Sequence, residues 1–390
     1  MTKTYRWFWM PLLAFLITRL GVAAVAFFTT PILADSTTPP YHLRQDNTLL
    51  DVFGSRWDTG FYLSIAEEGY RYQNVNLPSV AFFPFFPMLI RGVSAITGDA
   101  LTSGILVANL ALLAAVMLLY QLVEGEWGQP TAERAVWYLL IYPTSFFGSA
   151  IYSESLFLFL SIAAFFLARR DRWLAAGLIS ILAAMTRLVG IILAPALALE
   201  WLQRRRAAVN IPEDRQGIAK KPGWTDLAAS LLAPLGTLIY MVYLQLNVGN
   251  PLAFIQASAA WERQPSSPLT MVSSLFARPS QGWLGAIAVG ALPLDNWLDL
   301  TFVLFFIALG IVMLSQRRWS EGVFVLLGAL LPFSSGLLMS QRRYMWVLFP
   351  AFILLARWGK NPWIDRVIFV ASLLALGIFT AMFANWYWVG

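Results

Sequence analysis

The 390-residue chain contains no cysteine and a single histidine, His42. The first absence excludes a disulfide framework, a thiolate metal site and a cysteine nucleophile. The second excludes a metal centre built on several imidazoles. Charge is also scarce. Asp, Glu, Lys and Arg make up 12% of the residues, where a soluble domain carries about a quarter. The sequence has no Gly-rich phosphate cradle, no Asn-x-Ser/Thr acceptor, no repeat of fixed period and no low-complexity tract.

What is present is apolar. The hydrophobic fraction is 58%, mean hydropathy is +0.65, and Phe, Trp and Tyr make up 15%. The uncharged runs 101–123, 135–153, 227–261, 300–316 and 367–390 are long enough, or nearly so, to cross about 30 Å of hydrocarbon as helices. The expected fold is all-α, a polytopic transmembrane bundle of about 11 spans. The net charge of +6 then reports orientation rather than nucleic-acid binding, because Lys and Arg are retained on the cytoplasmic side of short loops. Lys3 and Arg6 precede an apolar stretch from Trp7 to about Ala34, interrupted by Arg19. It exceeds a signal-peptide core of about 7–15 residues, so it reads as an uncleaved first span with its N-terminus inside.

This start places a long first loop outside, with interfacial helices and a motif region over 31–97. Within it, AFFPFFPMLIRGVSAIT (81–97) reads as interfacial or re-entrant. YSES (152–155) falls on the outer face and RRDR (169–172) on the inner one. The segment 173–199 is either one span with Arg187 buried, or a helical pair with Arg187 at the outer turn. The pair is preferred because it keeps 203–206, 220–221, 317–318 and Lys360 inside, and with them all four lysines. The chain thus divides into a module at 1–202, a cytoplasmic linker at 203–223 and a second module at 224–390, with an outer loop at 248–296.

The outer pole collects Arg56, Asp58, Glu67, Glu68, Glu154, Arg187, Arg342 and Arg343 among aromatics. Each has a structural alternative. Ser55-x-x-Asp58 fits a capping box, with Asp58 at the start of a helix through DTGFYLSIAEE that Gly69 ends. Glu67 and Glu68 suit a solvated face, and Trp57, Tyr70 and Trp261 an aromatic belt. His42 suits a solvated loop. Glu154 is the only charge between Arg134 and Arg169, and Arg187 the only one between Arg172 and Glu200. A charge at a helix centre costs about 2.5–3.5 kcal/mol, so these two are either a functional pair or a structural one. Arg19 raises the same question and is read as structural or lipid-phosphate-binding.

Carboxylates with arginines at headgroup depth suit glycosyl transfer from a lipid-phosphate sugar. A carboxylate takes the acceptor's proton, and guanidinium forks meet the charge on the departing phosphate. The motifs also resemble those of the GPI mannosyltransferase II (PIG-V) family of GT-C-type membrane glycosyltransferases. RWDTGFYLSIAEEGY with VAFFPFFPML is similar to that family's first-loop signature, and YPTSFFGSAIYSESLF to its second motif. AAMTRLVGI resembles its Thr-Arg element, NPLAFIQASAAWERQPSSP a later Phe…Trp-x-Arg loop, and RRYMWVLFPAF its Arg-Tyr motif. The resemblance covers about residues 50–355, in order. It implies a polyprenyl-phosphate-mannose donor, a lipid or glycan acceptor, transfer on the non-cytoplasmic face, and neither metal nor nucleotide.

By the resemblance Asp58 is the candidate base. Chemistry then gives Arg187, Arg343 and Arg342 to the donor phosphate, and Glu154, Trp57, Glu67, Glu68 and Tyr152 to the acceptor or sugar. The family often has an acid shortly after the Gly-Tyr, whereas here RYQNVN follows, so a second acid has to come from Glu67, Glu68 or Glu154. The missing sequons and cysteines favour a bacterial plasma membrane. Two other classes remain open on sequence: a transporter or flippase, and a partner subunit without catalysis. Transporters often show repeated halves, which are absent here.

Overall fold

The computed structural model describes residues 5–33, 49–72, 77–209, 221–261, 263, 267–276, 282, 285 and 294–389. Lys3, His42, Lys220 and most of 277–293 lie outside the described residues, as does the side chain of Trp261.

Every regular element among the described residues is helical, as expected. The first half runs α1 (Arg6–Thr29), α2 (Leu49–Gly54), α3 (Thr59–Glu68), α4 (Phe85–Thr97), α5 (Ala100–Trp127), α6 (Gln129–Leu140), α7 (Glu154–Ala168), α8 (Trp173–Thr186) and α9 (Leu193–Val209). The second half continues with α10 (Trp224–Ser230), α11 (Pro234–Val248), α12 (Ala253–Ser258), α13 (Pro268–Leu275), α14 (Leu294–Ser315), α15 (Trp319–Phe333), α16 (Gln341–Trp346), α17 (Pro350–Trp358) and α18 (Pro362–Ala384). Among the described residues α1, α5, α14 and α18 are long and apolar enough to cross a membrane. The α10–α11 pair, bent by 47°, is a fifth such segment if taken as one span. The expected figure of about 11 depends on which shorter helices, such as α7, α8 and α15, also cross.

Helix ends follow local chemistry. The Asp99 carboxylate accepts from the Thr102 amide at 2.8 Å and caps α5, and prolines open α11, α17 and α18 at positions where no amide hydrogen is needed. Gly69, at φ +91°, ends α3 as expected. The Arg91 side chain then takes up the orphan carbonyls of Ala66 (2.6 Å) and Glu67 (2.9 Å) at that helix end. Its own helix, α4, has 13 residues, too short to cross the bilayer directly, in keeping with the interfacial reading.

Charge pairs define the two poles of the bundle. Helix α7 rises about 22 Å at 1.5 Å per residue, from Glu154 to the Arg169 end. Helix α8 returns, ends at Thr186, and places Arg187 at 2.7 Å from Glu154. Helix α9 then runs back until Arg204 reaches Asp171 at 2.9 Å and the Arg169 carbonyl at 2.6 Å. Segment 173–199 is therefore the helical pair, with Arg187 at its turn. Close approach fixes this hairpin against the second half of the chain. A Cβ on Gly177 would lie 2.2 Å from the Ala229 carbonyl, and one on Gly236 2.2 Å from that of Ile181.

One apolar cluster takes residues from both sides of the expected linker, and α9 stays helical through Val209 within it. Arg19 is buried inside α1 and donates to the carbonyls of Ser145 (2.7 Å) and Leu140 (3.0 Å) at the break after α6. Its role is structural.

At the pole opposite Arg187, Arg169 contacts Glu321 (2.7 Å), Glu126 (2.8 Å) and Glu200 (3.2 Å), so one guanidinium ties α5, α9 and α15 to the end of α7. Arg318 closes on Glu321 as well. Glu321→Gln removes the most buried carboxylate of this set, while Arg169 keeps Glu126 and Glu200 and Arg318 keeps Glu126 at 3.8 Å. It is expected to lower unfolding stability by about 1.5–3 kcal/mol, the scale of a lost charged hydrogen bond, read from denaturation in detergent. A loss below about 1 kcal/mol would show that this knot does not hold the pole together.

Candidate active site

The turn between α2 and α3 delivers Asp58. Trp57 adopts φ +57°, a left-handed conformation that costs a bulky residue on the order of 1–3 kcal/mol. Its indole packs edge-on against Trp386 and Trp388, which hold it there. The strained turn sets Asp58 at the head of α3, with its amide donating to the Tyr152 hydroxyl at 3.2 Å.

Asp58 occupies the N-cap position, yet its side chain makes no capping bond. Ser55 does not cap either. Its hydroxyl donates back to the Asp51 carbonyl at 2.8 Å, because α2 ends there. The capping-box reading therefore fails. The Asp58 carboxylate instead accepts from Arg343 Nη1 at 3.1 Å, across 285 residues of sequence.

Arg343 belongs to α16 and also faces Glu154 Oε1 at 3.2 Å. The same oxygen lies 2.7 Å from Arg187 Nη1, so one fully buried carboxylate holds two guanidinium groups. Arg187 donates further to Ser153 Oγ at 3.1 Å, and Ser153 bonds Tyr62 at 2.9 Å. The Arg343 guanidinium lies 5.1–5.4 Å from the rings of Phe147, Tyr152, Tyr344 and Trp388, an aromatic cradle for a cation.

These groups meet at a cavity of about 520 Å³. Its polar wall includes Asp58, Ser153, Arg187, Arg263, Arg343 and Tyr344. Its apolar wall includes Leu188, Val189, Leu331, Pro332 and Val347. Volume and lining suit a small amphipathic ligand. Burial pushes the Tyr344 phenol up, but the guanidinium groups of Arg263, Arg343 and Arg187 together bring it below its ordinary value. That direction marks a positive potential inside the cavity. Among the described residues no three His, Cys, Asp or Glu side chains converge as metal ligands.

Of the residues singled out from sequence, the structure brings Trp57, Asp58, Arg187 and Arg343 to the cavity wall. Glu154 is fully buried behind the arginines and is not part of that wall. Tyr152 is likewise buried, its hydroxyl spent on the Arg56 carbonyl and the Asp58 amide. Arg342 is turned elsewhere. Successive helical residues point about 100° apart, and its guanidinium is engaged with Asp295 at 2.9 Å and Asp299 at 3.6 Å. Glu67 and Glu68 are exposed at the far end of α3, where Glu68 pairs with Arg71. Several cavity residues were given no role from the sequence, among them Tyr62, Ser153, Arg263, Tyr344 and Trp388. Arg263 stood within a quoted motif, AWERQ, and that was the available signal.

A family model described as mannosyltransferase (PIG-V) matches residues 12–211. The chain is 34% identical over 149 residues to GPI alpha-1,6-mannosyltransferase 2 of Mus musculus, covering 35% of this chain and 29% of the mouse protein. It is 29% identical over 245 residues to GPI mannosyltransferase 2 of Chaetomium globosum, covering 52% of this chain and 50% of that one. It thus spans half or less of the length of these relatives. Among solved structures it is similar to ArnT from Cupriavidus metallidurans bound to undecaprenyl phosphate, with TM-score 0.48, 14% identity, and 96% and 76% of the two chains covered.

Proposed function

The chain belongs to the mannosyltransferase (PIG-V) family, and from that premise we propose that it transfers a mannosyl residue from a polyprenyl-phosphate donor to a hydroxyl of a lipid-linked or glycan acceptor. The observation that carries this reading is a carboxylate, Asp58, set against arginines in a cavity whose other wall is apolar. The acceptor oxygen attacks the anomeric carbon from the face opposite the phosphate. The carbon–oxygen bond to phosphate breaks, its electron pair leaves with the phosphate, and Asp58 takes the acceptor's proton. Configuration inverts, as in glycosidases that use two carboxyl groups without a covalent intermediate.

Arg187 and Arg343 hold the donor phosphate in this scheme, and the apolar wall accepts the first isoprenyl units. Glu154 acts as the positioning residue that aligns both arginines, in keeping with its place behind them. The phosphate competes with Asp58 for Arg343, which frees the carboxylate as the donor seats. The guanidinium groups supply the positive charge that a divalent ion provides elsewhere, so we propose a metal-independent reaction.

We place the site on the extracytoplasmic face, in the plasma membrane of a bacterium. The pole opposite the cavity carries Arg169, Arg204, Arg318 and the chain around Lys360, with Arg6 paired to Glu133 at 2.8 Å beside it. A basic pole of this kind is retained on the cytoplasmic side.

The test uses purified protein in nanodiscs with polyprenyl-phosphate [³H]mannose, a membrane lipid extract and EDTA. Label is expected to move into a new product at a rate unchanged by the chelator. Transfer restored only by a divalent ion would remove the metal-independent step. No turnover with the extract or with free mannosides would remove the donor class and favour a transporter.

A further inference from the structure

Two of the three cavity arginines enter it already neutralised. Arg187 lies 2.7 Å from Glu154, and Arg343 lies 3.1 Å from Asp58 and 3.2 Å from Glu154. Arg263 differs. Among the described residues it has no carboxylate partner, and it donates to three neutral acceptors: Ser335 Oγ at 3.0 Å, Tyr344 Oη at 3.1 Å and the Met339 carbonyl at 3.3 Å. These contacts hold the guanidinium against the turn between α15 and α16 while it lines the cavity. The Tyr344 ring is the common neighbour of the set, with Arg187, Arg263 and Arg343 at 5.3, 5.6 and 5.1 Å from its centre.

The charges then balance in an informative way. Among the described residues three arginines face two carboxylates, Asp58 and Glu154, which leaves one positive charge for the single negative charge of a phosphodiester donor. As the glycosidic carbon–oxygen bond breaks, the phosphate keeps the electron pair and becomes a monoester with up to two negative charges. At the same step Asp58 takes the acceptor's proton and loses its charge, so the surplus on the protein rises to two. The site is matched to its ligand before and after transfer. Without Arg263 it is one charge short in both states.

We propose that Arg263 is a further ligand of the donor phosphate, with the Tyr344 hydroxyl as the pin that aims it. The inference rests on the polyprenyl-phosphate donor proposed above. Its alternative is a plain structural staple between the segment after α12 and the α15–α16 turn. A staple has no preference between a phosphate and an alcohol on the same lipid, which gives the discriminating measurement.

Farnesyl phosphate and farnesol are titrated calorimetrically into detergent-solubilised wild type, Arg263→Gln, Tyr344→Phe and Ser335→Ala, with the thermal midpoint of each variant recorded. Wild type is expected to favour the phosphate over the alcohol. Arg263→Gln is expected to weaken the phosphate on the order of tenfold or more, with farnesol unchanged. Tyr344→Phe also removes the 3.3 Å contact that its hydroxyl takes from Arg343, so its loss is read beside that of Ser335→Ala, which removes a 3.0 Å contact of Arg263. Ser335→Ala is expected to give a smaller loss in the same direction and carries the test if the Gln variant does not fold. A wild type that does not distinguish the two lipids would overturn the donor reading itself. A wild-type preference that survives in a folded Arg263→Gln variant, or in Ser335→Ala when that variant stands alone, would overturn only the Arg263 assignment. Equal weakening of both lipids would make Arg263 a staple.

Discussion

Asp58→Asn is expected to lower mannosyl transfer by about 10²–10⁴-fold, the range a positioned general base contributes. The substitution keeps the shape of the side chain and removes its basicity. Three structural facts make it a clean test. The Asp58 side chain makes no capping bond, so α3 does not depend on its charge. Its backbone amide, which bonds Tyr152, is untouched by the change. Arg343 keeps Glu154 at 3.2 Å, so the loss of Asp58's charge does not strand it. The thermal midpoint should therefore stay close to that of the wild type while transfer from the labelled donor collapses. A folded variant that transfers at the wild-type rate would return Asp58 to being an incidental helix-start residue, and the base would have to be sought elsewhere in the cavity.

The contrast between what was legible in the sequence and what was not follows the range of the interactions. Local signals worked where the physics is local. Gly69 after an apolar helix pattern marked the end of α3, and the turn at Arg187 was preferred to a single span because it keeps the basic clusters on the inner side. The pairing of Glu154 with Arg187 was also accessible, since each is the sole charge in a long apolar run and each lowers the other's cost. The capping box at Ser55 and Asp58 failed for a non-local reason: the Asp58 carboxylate has a guanidinium partner far along the chain. Arg342 and Arg343 are adjacent, and only the packing of α16 shows which faces the cavity and which faces Asp295 and Asp299. Trp388 joins the wall beside Trp57, a contact that no periodicity could reveal. Arg263 stands in the quoted AWERQ motif, and its place on the cavity wall, held by Ser335, Met339 and Tyr344, comes only from the packing of distant segments.

Glu154→Gln is expected to have the second large effect, this time on the fold. The carboxylate is fully buried, and its Oε1 atom is shared by Arg187 at 2.7 Å and Arg343 at 3.2 Å. Among the described residues a neutral amide leaves Arg187 with no carboxylate partner and Arg343 with Asp58 alone. Stranding a buried charge in this way costs about 3–5 kcal/mol, so the variant should unfold at lower denaturant and lose transfer together. The double variant Glu154→Gln with Arg187→Gln removes the stranded charge as well. It should recover part of the stability, because apolar or neutral replacements of both partners are often tolerated. Its transfer should stay low, since one phosphate ligand is gone. The two roles proposed for Glu154 part company here. A positioning residue couples stability to activity, and its double variant regains the first without the second. A residue that touches the sugar or acceptor would instead lose activity at full stability, and the Arg187 change would recover nothing.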